Sequence, residues 1–209
     1  MKNYICINGQ QVELTQEQVA KLRDICKIPS VKLSEVAVGD TVMIGDHEMV
    51  VLDQFGEATA LIRKELLVEE QVFGESNNYA GSAVDKLCEE FADEIATVVG
   101  ADNLLLHWVD LTADDGLKDY GAIDRRAALL TANEYRRYVY ELDKHKVGEW
   151  WWLATAYSTP THGYDRAVKC VSPSGGISSD IYRNGFGVRP FCILKSTIFV
   201  SRKEEKGNE

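Results

Sequence analysis

Any chemistry this chain performs has to come from 4 His and 5 Cys set among 33 carboxylates. His47, His107, His145 and His162 are never four residues apart, so no helix carries a two-histidine metal pair. Cys6, Cys26, Cys88, Cys170 and Cys192 are odd in number and show no C-x-x-C spacing. That pattern fits small buried hydrophobes in a reducing compartment. One nucleophile pair can be written, Cys170 with His162, but nothing in the sequence supplies the third group that would orient the base. Asp102, Asp110, Asp114, Asp115, Asp119 and Asp124 crowd one irregular stretch. A calcium loop counted from Asp110 would need acidic or amide ligands at its third position and a Glu at its twelfth, where Thr112 and Gly121 stand. No serine-hydrolase, Walker, zincin or dinucleotide motif occurs. Neither catalysis, a metal nor a cofactor is expected.

The elements that would position a binding surface are easier to read. Tyr4-Ile5-Cys6-Ile7, an Asn8-Gly9 turn and Gln11-Val12-Glu13-Leu14 predict a hairpin. Thr15 and Gln18 form a capping box for a helix that Pro29 ends. A second hairpin follows at Thr41–Ile44, Gly45-Asp46 and residues 48–52, with a third strand at 59–63. Ser82 caps the most regular helix, whose stripe is Val84, Leu87, Cys88, Phe91, Ile95, Val98 and Val99, and Gly100 stops it. Residues 127–130 read as a strand. The capping box Thr131/Glu134 opens a helix bearing Tyr135, Tyr138, Val139 and Leu142. Three of the 4 Trp stand together as Trp150-Trp151-Trp152. On a strand, Trp150 and Trp152 share one face and Trp151 takes the other. Further strands are predicted at Ala167–Val171, 187–194 and 197–200, with a polar loop at 172–185. Arg189 before Pro190 reads as a buried Arg paired to a carboxylate or to backbone carbonyls.

The chain has 209 residues, 45% of them hydrophobic, which suits one main domain with a small appendage. We expect a hairpin-helix unit at 1–32, the domain at 33–200 and a charged, disordered tail at 201–209. The net charge of −10 argues against direct nucleic-acid binding, which needs clustered Lys and Arg. The first residues lack a signal-peptide core, and no apolar run is long enough for a membrane helix. A cytoplasmic location is expected, or a virion-associated one after release by lysis.

Gly39-Asp40 with Ile44-Gly45, Asn77-Asn78-Tyr79-Ala80-Gly81-Ser82, Leu129-Leu130-Thr131 with Glu134, Trp151-Trp152-Leu153 and Gly187-Val188-Arg189-Pro190 occur in that order. Over residues 35–200 this set resembles a family of bacteria and their prophages known as domain-of-unknown-function family 6273. Where that family usually has an Arg after its WWL, this chain has Ala154. The family looks like a branch of the C-type-lectin-like fold, shared with formylglycine-generating enzymes and with phage ligand-display proteins. The resemblance implies an α+β domain in which two helices flank a small, twisted antiparallel sheet. It implies a binding face between the WWL and GVRP strands: His162, Tyr164, Asp165, Arg166, Ser178, Ser179, Asp180, Tyr182, Arg183 and Asn184. Tyr, Ser, Asn and Arg are also the residues of adaptable binding surfaces. The calcium motifs of true lectins are absent.

The expected function is therefore a non-catalytic ligand-binding or display module of phage or prophage type, whose partner is a protein or a surface ligand. The alternative is an acidic intracellular inhibitor of a host defence or nucleic-acid-handling protein, in the manner of an anti-CRISPR.

Overall fold

The structure is a computed structural model and describes residues 3–7, 10–15, 17–19, 21–22 and 30–201. The Asn8-Gly9 turn, Cys26, the helix stop at Pro29 and residues 202–209 lie outside the described residues.

The fold is mixed α+β. Its larger sheet runs in the order Ala127–Ala128, Phe191–Lys195, Ala58–Arg63, His47–Phe55, Thr41–Ile44, Phe199–Ser201 and Ser30–Lys32, with Leu104–Leu105 also on Phe191–Lys195. Ser30–Lys32 and Ser201 thus join this sheet, across the expected boundaries after residues 32 and 200. A smaller sheet runs Ile177–Ile181, Ala167–Val171, Trp151–Ala156, Gly185–Val188 and Val68–Val72. Two hairpins stand apart from both sheets: Asn3–Ile7 with Gln10–Leu14, and His107–Asp110 with Ala122–Arg125.

Alternation along the central strands decides where the helices go, because successive side chains point to opposite faces. Val51 and Leu61 meet Phe91, Ala92 and Ile95 of α1 (Ala83–Val99). Val50, Leu52, Ala60 and Ile62 meet Tyr135, Tyr138 and Leu142 of α2 (Ala132–Lys144). One helix therefore covers each face of the larger sheet. Both helices start where their caps predict. Ser82 accepts from the Asp85 amide, and Thr131 and Glu134 close a full capping box. Each cap contributes ~1 kcal/mol. At α1 the buried Asp85 carboxylate also takes both Nε and Nη2 of Arg125 at 2.8 Å and the Gly81 amide. The N-terminal capping box is present as well: the Thr15 amide donates to Gln18 and the Gln18 amide to Thr15.

Three expectations need correction. Residues 187–194 are two strands in different sheets. Gly185–Val188 lies parallel to Trp151–Ala156, and Phe191–Lys195 lies antiparallel to Ala58–Arg63. Pro190 lacks an N–H and restricts Arg189, so the ladder breaks there and the chain crosses over. The polar loop at 172–185 contains the strand Ile177–Ile181, so Ser178, Ser179 and Asp180 sit on a sheet edge. The acidic stretch 101–124 holds the hairpin His107–Asp110 and Ala122–Arg125.

Candidate functional site

Residues 157–166 connect Trp151–Ala156 to Ala167–Val171. Pro160 opens a single tight helical turn, Pro160–His162, and Gly163 closes it with a φ of 69°, a left-handed conformation that costs glycine little. Four bonds tie this loop to the acidic stretch opposite. The Ser158 hydroxyl donates to Asp115, and His162 Nδ1 lies 2.9 Å from the same oxygen. The Thr159 and Thr161 hydroxyls both donate to Asp119 Oδ2 at 2.6 Å. The hydroxyl of Ser158 holds the Asp115 carboxyl below its ordinary pKa, and that of Thr159 does the same for Asp119.

A single buried side chain pins both ends of the loop. Asn77 Nδ2 donates to the Ser158 carbonyl at 2.8 Å and to the Ala167 carbonyl at 3.1 Å, while its own oxygen accepts from Tyr120 Oη at 2.6 Å. Below the loop, buried Lys169 pairs with Asp114 at 3.1 Å, and Arg136 reaches the other Asp114 oxygen at 3.1 Å. Burial pushes the Asp114 carboxyl up, but the bonds from Lys169 and Arg136 outweigh it and hold the group below its ordinary value.

This scaffold presents two tyrosines. Tyr157 and Tyr164 are 44% and 53% exposed, and their rings meet edge to face at 5.4 Å. Lys169 Nζ approaches the Tyr157 ring centroid at 5.7 Å. His162, Asp165 and Arg166 are exposed on the same loop.

The structure brings part of the second expected segment to this end of the sheet. The Tyr182 amide donates to the Arg166 carbonyl at 3.0 Å, and Asn184 Nδ2 donates to Asp180 at 2.8 Å. Arg183 is exposed, with its guanidinium 5.4 Å from the Tyr182 ring centroid. Tyr182 is half-buried against the cluster of Phe73, Trp152 and Val188, so it supports the core as well as the surface. Ser178 and Ser179 lie farther along the edge strand, opposite Cys170 and Lys169. Sequence reasoning missed Tyr157 and Asn77, and weighed Asp115 and Asp119 only as part of a calcium loop. The signal for Asn77 was its place in the Asn77-Asn78-Tyr79 motif; nothing local marks Tyr157, and nothing local pairs the two Asp with residues 158–162.

The Cys170–His162 pair does not form. Cys170 is fully buried and burial pushes its thiol up to about 12, while the His162 ring is held by Asp115. His47 pairs with Glu94 and packs edge-on against Phe91; His107 packs against Phe191, and burial lowers its pKa. Among the described residues no group of three His, Cys, Asp or Glu is arranged to hold a metal, and no helix is long and apolar enough to cross a membrane. An open groove of about 440 Å³ lies beside α1, lined by residues such as Gln71, Ser76, Asn78 and Lys86, and includes nothing from the tyrosine loop.

Residues 111–196 match the model of a family described as a domain of unknown function, DUF6273. The match takes in Asp114, Asp115 and Asp119 of the acidic stretch, the Thr131 capping box, the tyrosine loop and the Arg189-Pro190 crossover. Asn77 and the Gly39-Asp40 hairpin lie outside it. No curated protein and no solved structure matches the chain.

Proposed function

We propose that this chain is a non-catalytic binding module of phage or prophage type, built on a C-type-lectin-like fold, acting in the cytoplasm or on a virion. Its recognition face is the Tyr157–Tyr164 pair with His162, Asp165 and Arg166, flanked by Arg183 and Asn184. Ser178, Ser179, Asp180 and Tyr182 border it. The observation that carries the reading is an exposed aromatic pair on a loop whose two ends are held by one buried Asn77. Tyrosines offer large contact area for little side-chain entropy, and a loop already fixed loses less freedom on binding. The partner is a protein or another surface ligand that buries these rings.

The acidic-inhibitor reading draws on the net charge of −10. It has less support on this face, because Asp114, Asp115 and Asp119 already serve Lys169, Arg136, His162 and three hydroxyls. The test immobilises wild type and a Tyr157→Ser/Tyr164→Ser variant side by side and exposes both to bacterial lysate and to whole bacterial cells. A species held by wild type and lost on the variant supports the face. Equal retention by both removes it. A retained species that is basic and released by moderate salt points to the inhibitor.

A further inference from the structure

Sheet edges invite further strands, and proteins guard them with charges, bulges, brevity or cover. Most edges here carry such a device. Val68–Val72 has exposed Glu69 and Glu70 and a register shift against its neighbour. Ser30–Lys32 and Ala127–Ala128 are three and two residues long. Ile177–Ile181 differs. It pairs on one side with Ala167–Val171 in unbroken register over five positions, and no described strand pairs with its other side. It has no Pro and no Lys, its one charge, Asp180, is half-buried and turned back onto the Ile181 amide, and Ile181 is 48% exposed.

The ladder shows which backbone groups face outward. The Ser172 amide donates to Gly176 and the Tyr182 amide to Arg166, so residues 176, 178, 180 and 182 point into the sheet. Alternation then turns 177, 179 and 181 outward. The Ile181 amide is already held by Asp180 and its carbonyl by the Asn184 amide, which leaves the outward groups of Ile177 and Ser179 open. The residue order Ile-Ser-Ser-Asp-Ile is close to self-complementary when reversed.

We propose that this edge is a homodimerisation edge, on which two copies of the chain pair their Ile177–Ile181 strands antiparallel about a two-fold axis at Ser179. Ser179 exchanges both backbone bonds with its counterpart. Each Ile177 lies opposite Ile181 of the other copy and covers it; the Ile177 amide uses the second lone pair of that Ile181 carbonyl, and the Ile177 carbonyl takes the Ile181 amide in place of Asp180. Each Ser178 lies opposite Asp180 of the other copy, so the hydroxyl donates to a carboxylate and no like charges face each other. The joined sheets form one continuous sheet and leave Tyr157 and Tyr164 outside the paired strands. The dimer would therefore display two copies of the proposed face, raising avidity for a clustered ligand. The dimer does not rest on that face being the binding site.

Sedimentation of the full chain across a concentration series tests this. The mass rises from that of the 23.4 kDa chain toward twice that value. Ser179→Pro removes an outward N–H that the internal ladder does not use, and weakens the dimer by about tenfold or more. Ile181→Asp does the same by a different route. Both variants keep the wild-type circular dichroism, and Tyr157→Ser/Tyr164→Ser remains dimeric. A cross-linking series avoids dependence on destabilising changes. Paired residues on the axis stand ~5.5 Å apart at Cα, within disulfide reach, whereas Ser178 and its counterpart lie diagonally at ~7–8 Å. With Cys6 and Cys26 replaced by Ser, Ser179→Cys cross-links under mild oxidant far faster than Ser178→Cys or the exposed Ser174→Cys. A monomer at every concentration, dimers unaffected by both edge variants, or equal cross-linking at all three positions overturns the proposal.

Discussion

Arg189→Lys keeps the charge of a buried residue and removes only its geometry. Arg189 is 1% exposed. Its Nε donates to the Arg63 carbonyl at 2.8 Å, and its Nη2 donates to the Lys64 carbonyl at 2.8 Å and the His145 carbonyl at 3.0 Å. The guanidinium also sits 5.4 Å from the Trp151 ring centroid. One side chain thereby joins the end of Ala58–Arg63, the C-terminal cap of α2 and the crossover between the sheets. Each of these bonds ends on a backbone carbonyl, the second of the two pairings expected from sequence. Burial lowers its pKa to about 10, with Glu65 pulling the other way. A lysine brings the same desolvation cost, but a single ammonium on a flexible stem does not span three carbonyls presented to a planar fork. If one bond survives and two are lost, at ~1.5–3 kcal/mol for each bond to a charged donor, the variant loses ~3–6 kcal/mol. At ~2–4 °C per kcal/mol for a chain of this size, the melting temperature falls by roughly 6–24 °C. Urea unfolding followed by tryptophan fluorescence measures the loss directly, read at an unchanged slope. A Lys variant within about 1 kcal/mol of wild type would show that the fork geometry contributes little, and the argument fails.

Tyr157→Ser/Tyr164→Ser leaves stability within ~0.5 kcal/mol per site, whereas Trp152→Ala, which empties a fully buried position beside Phe73, costs ~3–5 kcal/mol; paired melts decide, and similar losses would mean that the loop is part of the core. Tyr182 does not belong with the freely replaceable residues, so Tyr182→Ser lowers the melting temperature where Arg183→Ser does not. Asp114 has a folded pKa below its unfolded value, so its contribution is complete above the unfolded value and is lost as pH falls through the folded one. Acid titrations should therefore show a shallower loss of stability for Asp114→Asn over that window, and identical acid limbs would contradict the pairing. Cys88, Cys170 and Cys192 are buried with thiols raised to about 12 by burial, so iodoacetamide at neutral pH labels them only after denaturation. Fast native labelling of Cys170 would reopen a nucleophilic role.

Local features were legible in the residue order alone. Ser82 and Thr131 find their helix amides three residues away, and such short loops close in the same way whatever surrounds them. The two-residue period sorted the tryptophans: Trp150 and Trp152 both meet Phe186, while Trp151 turns to Tyr135. Pairings between distant residues were visible only in the folded chain. Asn77 holds carbonyls at residues 158 and 167, and Asp115 meets Ser158 and His162; no spacing encodes such a pair, because the intervening strands set it. Ile177–Ile181 was hidden for a related reason. An edge strand with few apolar residues lacks the alternation that betrays a half-buried strand, and its extended form comes from the hydrogen bonds that Ala167–Val171 supplies.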